Sequence, residues 1–483
     1  MSGEALTEVV IRHQPYLHDL VVAVYAPMMA LSGPDGQIRP GGAQGLFAHD
    51  VRALSELVMT VNGNEPEPLG PVSAGGATNR FYGVVLGAGR PGPDPTVLVC
   101  RERALDFDGM LERYTVQSYA GAVVHCRLQL HLSSDLAGIG RVKSGLPTDP
   151  VAAVAGEGHL AWESEGRASV RAEASPYPAA ITASSGTITW DLLVAPGQAA
   201  TVSLRVRAPE EGAGPRVVAA IPRGTEGWER PEVRAGDQRL AQFVEQSLTD
   251  LERLQMAIPA EPADIFIAAG APWYLTLFGR DSIWAARMLL PLQPQVALGT
   301  LRALARRQGE RVDLATSEEP GKILHELRRP LSQPSGLGAP GRPSLPPTYY
   351  GSVDATPLWV CLLYDAWKWG LPEDEVGPLL GPMQRCLQWV EEYGCGPDGF
   401  VRYVDKSGRG LTNQGWKDSW DAVQFPDGRL AVPPIALCEV QGYAYEAALH
   451  GAEILDAFGA PGAQKWRDFA GRLAGNFREM FCV

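Results

Sequence analysis

The sequence contains no apolar run that is long enough to cross a bilayer. The longest apolar stretch near its start, VVAVYAPMMAL at residues 21–31, is too short to span a membrane and contains Pro27. It also follows Glu4, Glu8 and Asp19, where a signal peptide would carry basic residues. We therefore predict that this stretch is a buried strand, that there is no targeting segment or membrane contact, and that the protein is cytoplasmic.

An excess of basic charge is also lacking. Lys and Arg number 42 against 55 Asp and Glu, which gives a formal net charge of -13. Nucleic acids and anionic membrane surfaces both select for clusters of Lys and Arg, so neither is expected as the main partner. A neutral or cationic ligand fits this charge better.

Cysteine is sparse, and the common cofactor motifs are missing. The seven cysteines form no C-x-x-C pair and leave one unpaired in any full disulfide scheme, so we expect reduced thiols. HELRR at 325–329 lacks the second histidine of a zinc site, and neither a G-x-S-x-G nor a P-loop motif occurs. GAGRPG at 87–92 matches a dinucleotide fingerprint, but Pro91 and Pro93 block the helix that must follow it, which predicts a plain turn. We expect no metal and no cofactor.

Alternating patterns in residues 1–208 predict an antiparallel β-sandwich. In AVVHCRLQLHL at 122–132, apolar residues from Val124 onward alternate with polar ones, which is typical of a strand with one apolar face. TVSLRVRAP at 201–209 repeats the pattern, and ELVMTVNG at 56–63 ends in the Asn-Gly signal of a hairpin turn. Several such strands between Gly- and Pro-rich turns favour a sandwich.

Residues 209–236 have the composition of a linker, and helical patterns follow it. Apolar residues then recur every three and four positions, which predicts a helical domain over residues 237–483. The Pro- and Gly-rich stretch at 330–347 predicts a long loop, and its flanks favour a functional one. The fold class is therefore multidomain, with a β domain followed by an α domain.

The segment NQGWKDSWDAV at 413–423 contains two carboxylates among two indoles. If it is helical, Trp416 and Trp420 share one face, and Asp418 and Asp421 are surface neighbours. A second carboxylate and an apolar indole both favour the protonated form of a carboxyl group, which is the form that donates a proton. The alternative is an ordinary helix start, with acidic residues facing the helix dipole and tryptophans in the core.

Other segments combine charged and aromatic residues near predicted helix starts. In PWYLTLFGRDSIWAARM at 272–288, Arg280 and Asp281 follow an aromatic run, a combination that suits a polyhydroxylated ring, although Asp281 could be only a helix cap. In ALCEVQGYAYEA at 436–447, Glu439 interrupts an apolar helix start, where an unpaired carboxylate is costly. With EPGKILHELR at 319–328 and TYYGSVDATPLW at 348–359, these segments predict one pocket at one end of a helical barrel.

Five of these motifs resemble a known family. They resemble the bacterial amylo-α-1,6-glucosidase, or glycogen-debranching-like, family of (α/α)6-barrel glycosidases. The five motifs are WYLTLFGRDS, PGKILHELR, YYGSVDATPLW, NQGWKDS and IALCEVQGYAY. The N-terminal β domain of this family is similar to two further segments, GLFAHDVRALSELVMTVNG and RERALDFDGMLERYTVQSYAGAVVHCRLQLHL. His49, Asp50 and Val51 stand where the family more often has Arg-Asp-Thr. The resemblance covers nearly the whole chain and implies a β-sandwich followed by an (α/α)6 toroid of the six-hairpin type.

The resemblance also implies an activity and a set of site residues. It implies inverting hydrolysis of an α-glucosidic bond in an α-glucan or gluco-oligosaccharide, with Asp418 as the general acid and Arg280 and Asp281 binding sugar hydroxyls. The other residues that it places in the substrate pocket are Trp273, Lys322, His325, Glu326, Arg328, Tyr349, Asp354, Trp416, Lys417, Glu439 and Gln441.

The helical domain departs from a complete barrel of this type. Such a barrel has about twelve helices, whereas about seven are predicted after Asp237. We therefore expect a toroid that is incomplete at its C-terminus, with some apolar helix faces uncovered and with the general base expected beyond residue 483. Glu439 is the nearest internal substitute for that base. Two alternatives stay open: another α-glycosidase, for example a trehalase-like enzyme, and a catalytically inactive glycan-binding protein.

Overall fold

A computed structural model of the chain describes residues 15–73, 76–89, 94–163, 169–207, 218–219, 228–328 and 345–481. It divides into two compact units with the boundary between residues 213 and 214. Most of the predicted linker at 209–236 and of the predicted loop at 330–347 lies outside the described residues.

The described part of the first unit is built from antiparallel strands and one short α-helix. The strands are β1 (Val21–Tyr25), β2 (Met28–Ser32), β3 (Gly45–Ala48), β4 (Val51–Leu54), β5 (Glu56–Val61), β6 (Glu67–Ser73), β7 (Thr78–Val84), β8 (Val97–Asp106), β9 (Gly109–Ser118), β10 (Val124–Ser133), β11 (Ala153–Gly156), β12 (His159–Trp162), β13 (Val170–Ser175), β14 (Ala180–Thr182), β15 (Thr187–Val194) and β16 (Ala199–Arg207). The helix is α1 (Ile139–Lys143).

These strands form three antiparallel sheets. Their strand orders are β1-β2-β3-β4, β14-β15-β10-β5 and β11-β12-β13-β16-β9-β8-β7-β6. The alternation predicted from Val124 onward is confirmed, because every second residue of β10 is buried. The buried faces join in one hydrophobic core that runs from Ala23 to Val206 and draws on all three sheets. The predicted antiparallel β domain is therefore confirmed.

Two local predictions in this unit need correction. Residues 21–31 form a hairpin of two strands, because the chain turns at Ala26 and Pro27. Asn62 and Gly63 make the predicted tight turn, with φ values of 53° and 83°. However, β5 pairs with β10, and the next strand β6 pairs with β7 in another sheet, so this turn does not close a hairpin.

At Gly87 and Gly89, positive φ values agree with the turn predicted there, although residues 90–93 lie outside the described part.

The second unit begins with a small sheet and continues with helices. Its strands are β17 (Val218–Ala219), β18 (Gln255–Ile258), β19 (Glu261–Ile267), β20 (Glu326–Leu327) and β21 (Thr348–Tyr349). Its helices are α2 (Gln238–Arg253), α3 (Gly279–Leu289), α4 (Pro294–Ala305), α5 (Ala355–Lys368), α6 (Glu373–Val376), α7 (Leu380–Trp389), α8 (Cys438–Ala457) and α9 (Ala463–Phe481). Asp237 caps α2, because its carboxylate accepts a hydrogen bond from the Arg239 amide at 2.9 Å.

The predicted helical region is confirmed, and the toroid is partial at best. Eight α-helices follow Asp237 among the described residues, and α6 is only four residues long. Helix α5 is apolar and buried through most of its length because α3, α4, α7 and α8 all pack against it. In the described ranges, no helix combines the length and the apolar character that crossing a membrane requires.

Candidate functional site

Three helices of the second unit begin close together and bring charged residues to one place. Arg280 and Asp281 lie in the first turn of α3, Asp354 immediately precedes α5, and Glu439 is the second residue of α8. Asp281 is not the helix cap considered above, because Phe278 occupies the N-cap position. Its carboxylate lies in the first turn, where the helix dipole favours negative charge.

Arg280 is the centre of this cluster. It is buried, and its Nη1 donates hydrogen bonds to Asp354 Oδ2 at 3.2 Å and Oδ1 at 3.4 Å. Its Nη2 donates to Asp418 Oδ2 at 3.4 Å and lies 3.9 Å from Asp281 Oδ2. One guanidinium therefore contacts three carboxylates that come from distant parts of the chain.

The carboxylates differ in burial. The side chain of Asp354 is 1% exposed, and the Ser352 hydroxyl donates to its Oδ1 at 2.6 Å. The side chains of Asp281 and Asp418 are 40% and 44% exposed. Asp354 is thus a buried anchor for the guanidinium, whereas Asp281 and Asp418 can reach a ligand.

Burial and charge act in opposite directions in this cluster. Burial raises the pKa of Asp354 and of Asp281, although Arg280 opposes it in both cases. Burial alone would lower the pKa of Arg280, but the charges of Asp354, Asp281 and Asp418 outweigh it and raise that pKa. Arg280 is therefore a fixed cation in a cluster that carries more negative than positive groups.

The segment at 413–423 reaches this cluster as an irregular loop, so the helix considered for it is wrong. The loop is held at its start, where the Asn413 side chain accepts from the Tyr403 hydroxyl at 2.9 Å and donates to the Ser419 carbonyl at 2.6 Å. Trp416 and Trp420 are 57% and 64% exposed, so they do not wall off Asp418 as expected. Arg280 is instead the neighbour of Asp418, at a sequence separation of 138 residues.

A second group of predicted residues lies beside the start of α3. His325 is buried with its ring edge-on to Phe278 and Tyr349, at centroid distances of 5.5 and 5.8 Å. Burial and the nearby charges of Arg280 and Arg328 lower the pKa of His325 to about 3, so its imidazole is neutral at physiological pH.

Arg328 joins two more predicted residues to this group. Its Nε donates to Glu326 Oε2 at 3.0 Å, and its Nη2 donates to the Trp273 carbonyl at 2.8 Å. Its guanidinium also lies over the Phe278 ring at 5.5 Å from the centroid. These side chains support the wall next to Arg280, because Phe278 immediately precedes α3 and pairs with Glu326.

Two predicted pocket residues have their polar groups engaged elsewhere. Lys322 is buried over the Trp389 ring, 3.3 Å from Glu319, and it donates to the Ser317 carbonyl at 3.1 Å. The Gln441 amide accepts from the Val401 amide and donates to the Val401 carbonyl, both at 2.8 Å. Their contacts hold the fold around the site and leave them outside the Arg280 cluster.

Glu439 and Lys417 are more accessible to solvent than Arg280 and Asp354. Glu439 is half-buried, and its Oε2 accepts from the exposed Cys438 thiol at 3.4 Å. Lys417 is exposed, with its Nζ 5.2 Å from the centroid of the Trp416 ring.

The motifs did not point to Ser352 or Tyr443, which also belong to this region. Burial raises the pKa of Tyr443, and the charges of Asp354 and Glu439 raise it further, so this phenol lies within electrostatic reach of both carboxylates. Its position four residues after Glu439 on α8, which puts both on one helix face, is the sequence signal that could have found it.

A known domain family matches most of the first unit. Residues 24–205 match the family described as the N-terminal domain of (some) glycogen debranching enzymes. For this domain, the match confirms the resemblance drawn from the sequence.

The fold as a whole is similar to those of two solved structures. A bacterial glucoamylase complexed with acarbose is 8% identical with a TM-score of 0.53, and the match covers 99% of this chain and 68% of that one. A protein described as a kojibiose phosphorylase from the human microbiome is 8% identical with a TM-score of 0.52, over 95% of this chain and 67% of that one. At these identities the likeness shows the fold alone, and no curated protein matches the sequence.

Proposed function

We propose that this chain is a glycoside hydrolase that acts on α-glucosidic linkages, with amylo-α-1,6-glucosidase activity on glycogen-like oligosaccharides and an inverting mechanism. The observation that carries the proposal is the position of Arg280, a buried cation that contacts Asp354, Asp281 and Asp418. A fixed guanidinium among carboxylates suits the hydroxyl groups of a glucosyl residue, because each hydroxyl can both donate and accept.

The proposal gives the three carboxylates different tasks. Asp354 fixes the guanidinium, and Asp281 with Arg280 binds sugar hydroxyls. Asp418 acts as the general acid that protonates the leaving oxygen, because its partly exposed side chain can reach a glycosidic bond above the cluster.

Exposed aromatic rings next to Asp418 support a saccharide ligand. Trp416 and Trp420 present indole faces at the surface of the loop that carries the acid. Apolar ring faces pack against the C–H patches of sugars, while a few placed polar groups fix their orientation. We assign the two indoles to the part of the glucan beyond the cleaved bond.

An inverting reaction also needs a second carboxylate to activate water on the opposite face of the sugar. Among the described residues we assign this task to Glu439, at the start of α8. Its half-buried carboxylate and Asp354 both act on Tyr443, which supports a position at the rim of the same cluster. The helical unit is, in this proposal, part of an (α/α)6 toroid, a reading supported by the similarity to the glucoamylase fold.

The similarity to a phosphorylase fold favours one competing reaction, which is transfer of the glucosyl group to phosphate.

The test is incubation of the purified chain with branched limit dextrin, maltotriose or trehalose, with and without inorganic phosphate. We expect free glucose from the branched dextrin without any need for phosphate. Glucose 1-phosphate that forms only with phosphate would replace hydrolysis by phosphorolysis. Binding of gluco-oligosaccharides in calorimetry without any product would support an inactive glycan-binding protein.

A further inference from the structure

A group of metal-binding residue types lies between α5 and α8, further along both helices. Cys361 on α5 and Glu446 and His450 on α8 have donor atoms that all lie within 4.8 Å of one another. Glu446 and His450 are four residues apart on the same helix face. Cys361 comes seven residues after Asp354, and Glu446 comes seven residues after Glu439. Seven residues correspond to about 10 Å along a helix axis. The cluster is therefore separate from the sugar site proposed above.

The histidine of this cluster has an unused nitrogen. Among the residues that the structure describes, His450 Nδ1 is buried and has no hydrogen-bond partner, and Glu446 Oε1 lies 3.8 Å from it. Burial lowers the pKa of His450, so the ring is neutral and its lone pair is available near neutral pH. A buried nitrogen without a partner loses free energy that a ligand would restore.

Neighbouring side chains orient the donors. The Tyr364 ring stacks on the His450 imidazole with centroids 3.7 Å apart and an interplanar angle of 11°. Arg287 donates hydrogen bonds to the carboxylates of both Glu446 and Asp365. Outer contacts of this kind fix the orientation of metal ligands in known sites.

We propose that Cys361, Glu446 and His450 form a site for a transition metal ion of the Zn²⁺ class. One thiolate, one imidazole and one carboxylate are ligand types that Zn²⁺ accepts, and a water completes a tetrahedron. In a tetrahedral Zn²⁺ site, the metal–ligand bonds separate the ligand atoms by roughly 3.4 Å. The side chains of the cluster therefore have to draw together by about 1 Å when the ion binds.

The charges of the surroundings suit a divalent ion. Metal binding releases the Cys361 proton to solvent, because the thiolate is the ligand form. The Cys361 thiolate and the carboxylates of Glu446 and Asp365 carry three negative charges, and the Arg287 guanidinium carries one positive charge. The divalent ion neutralises the two negative charges that remain. Burial raises the pKa of the Cys361 thiol well above its ordinary value, so the proton leaves only when the metal arrives.

The bound ion would join α5 to α8, the helices that begin beside Asp354 and Glu439. It would therefore fix the spacing of two carboxylates in the Arg280 region without touching them. This inference is independent of the proposed hydrolysis, because metal binding is measured without substrate.

The test is a titration of the chelator-treated full chain with Co²⁺, followed by the charge-transfer absorption of a thiolate bound to cobalt. We expect one Co²⁺ per chain with this absorption, displacement by Zn²⁺, and loss of the absorption in Cys361→Ser and in His450→Gln. Cys438→Ser, which removes an exposed thiol outside the cluster, is the matched control and should keep it.

His450→Gln keeps the test decisive if the core variant Cys361→Ser fails to fold, because His450 is only partly buried. Absence of the cobalt–thiolate absorption in the wild type would overturn the proposal. Absorption that persists in His450→Gln but disappears in Cys438→Ser would also overturn it.

Discussion

At the scale of single residues, the site depends on how one arginine distributes its contacts. Arg280 uses one nitrogen for the buried Asp354 and the other for the partly exposed Asp418. The buried contact fixes the guanidinium, and the exposed one leaves its carboxylate free to change partner. A substrate hydroxyl can therefore replace Asp418 at the guanidinium without disturbing Asp354.

We predict that Asp418→Asn lowers the rate of glucose release from branched limit dextrin by about 10²- to 10⁴-fold, the effect of losing a general acid. Affinity for the dextrin, measured by calorimetry, should change little because Asn is isosteric. Asp421→Asn is the control, since this exposed carboxylate lies three residues away on the same loop. Equal rates for Asp418→Asn and wild type would remove Asp418 from the catalytic role.

His325 predicts a pH dependence of stability. Its pKa is about 3 in the folded state against an ordinary 6.5, so the unfolded chain binds a proton between these values and the folded chain does not. The contribution of His325 is therefore complete above pH 6.5 and is lost as pH falls toward 3, by roughly 1.4 kcal/mol per pH unit.

Urea unfolding of the helical unit between pH 7 and pH 4 measures this dependence. We expect the unfolding free energy of His325→Asn to decrease less steeply with falling pH than that of wild type, whatever the absolute stability of the variant. The matched control is His18→Asn, which lies in the first unit and outside the helical unit. An unchanged slope in His325→Asn would contradict the buried neutral imidazole.

At the scale of elements, adjacent strands in the first unit share a buried charge cluster. Glu112 on β9 is fully buried and accepts from Arg101 Nε at 2.5 Å and from Arg103 Nε at 2.6 Å, both on β8. Burial would raise the pKa of Glu112, but the two guanidinium charges outweigh it and lower that pKa. One carboxylate thus compensates two buried cations and fixes the pairing of β8 with β9.

We predict that Glu112→Gln destabilises the first unit by about 3–5 kcal/mol, because two guanidinium groups stay buried without their carboxylate. Denaturant unfolding followed by far-ultraviolet circular dichroism measures the loss. The matched control is Glu102→Gln on β8, whose partner Arg80 is exposed, and it should unfold like wild type. Similar midpoints for Glu112→Gln and wild type would show that the cluster does not hold the strands.

The elements also show what sequence patterns can predict. The alternation in β10 and the apolar spacing in α5 are local properties, so strand and helix follow from neighbouring residues. The loop at 413–423 was one exception, because its two tryptophans had a helical spacing but remain exposed. Its conformation depends on contacts of Asn413 with Tyr403 and Ser419, which no local pattern contains.

At the scale of the whole molecule, the order of the β and α regions was predictable, but the contacts that form the site were not. Motifs singled out Arg280, Asp281, Asp354 and Asp418 as candidates, and the distances between these side chains depend on how the helices pack. The same motifs included Lys322 and Gln441, whose polar groups hold neighbouring segments. A sequence motif does not distinguish a residue that contacts a ligand from one that supports its neighbours.

We predict that residues 1–213 fold without the rest of the chain, because the hydrophobic core described for this unit is drawn from residues 23–206. The separately expressed fragment should unfold in one cooperative transition and give dispersed amide signals in nuclear magnetic resonance. Broad signals and non-cooperative unfolding would show that the β domain requires the helical unit.

We propose that the Arg280 cluster serves inverting hydrolysis of an α-glucosidic bond. The most direct measurement follows the anomeric proton signals of glucose during the first minutes of its release from branched limit dextrin by this chain. The proposal predicts that β-glucose appears first and then equilibrates with the α-anomer, because one displacement inverts the configuration. Initial release of α-glucose, or no release of glucose by the folded chain, would contradict it.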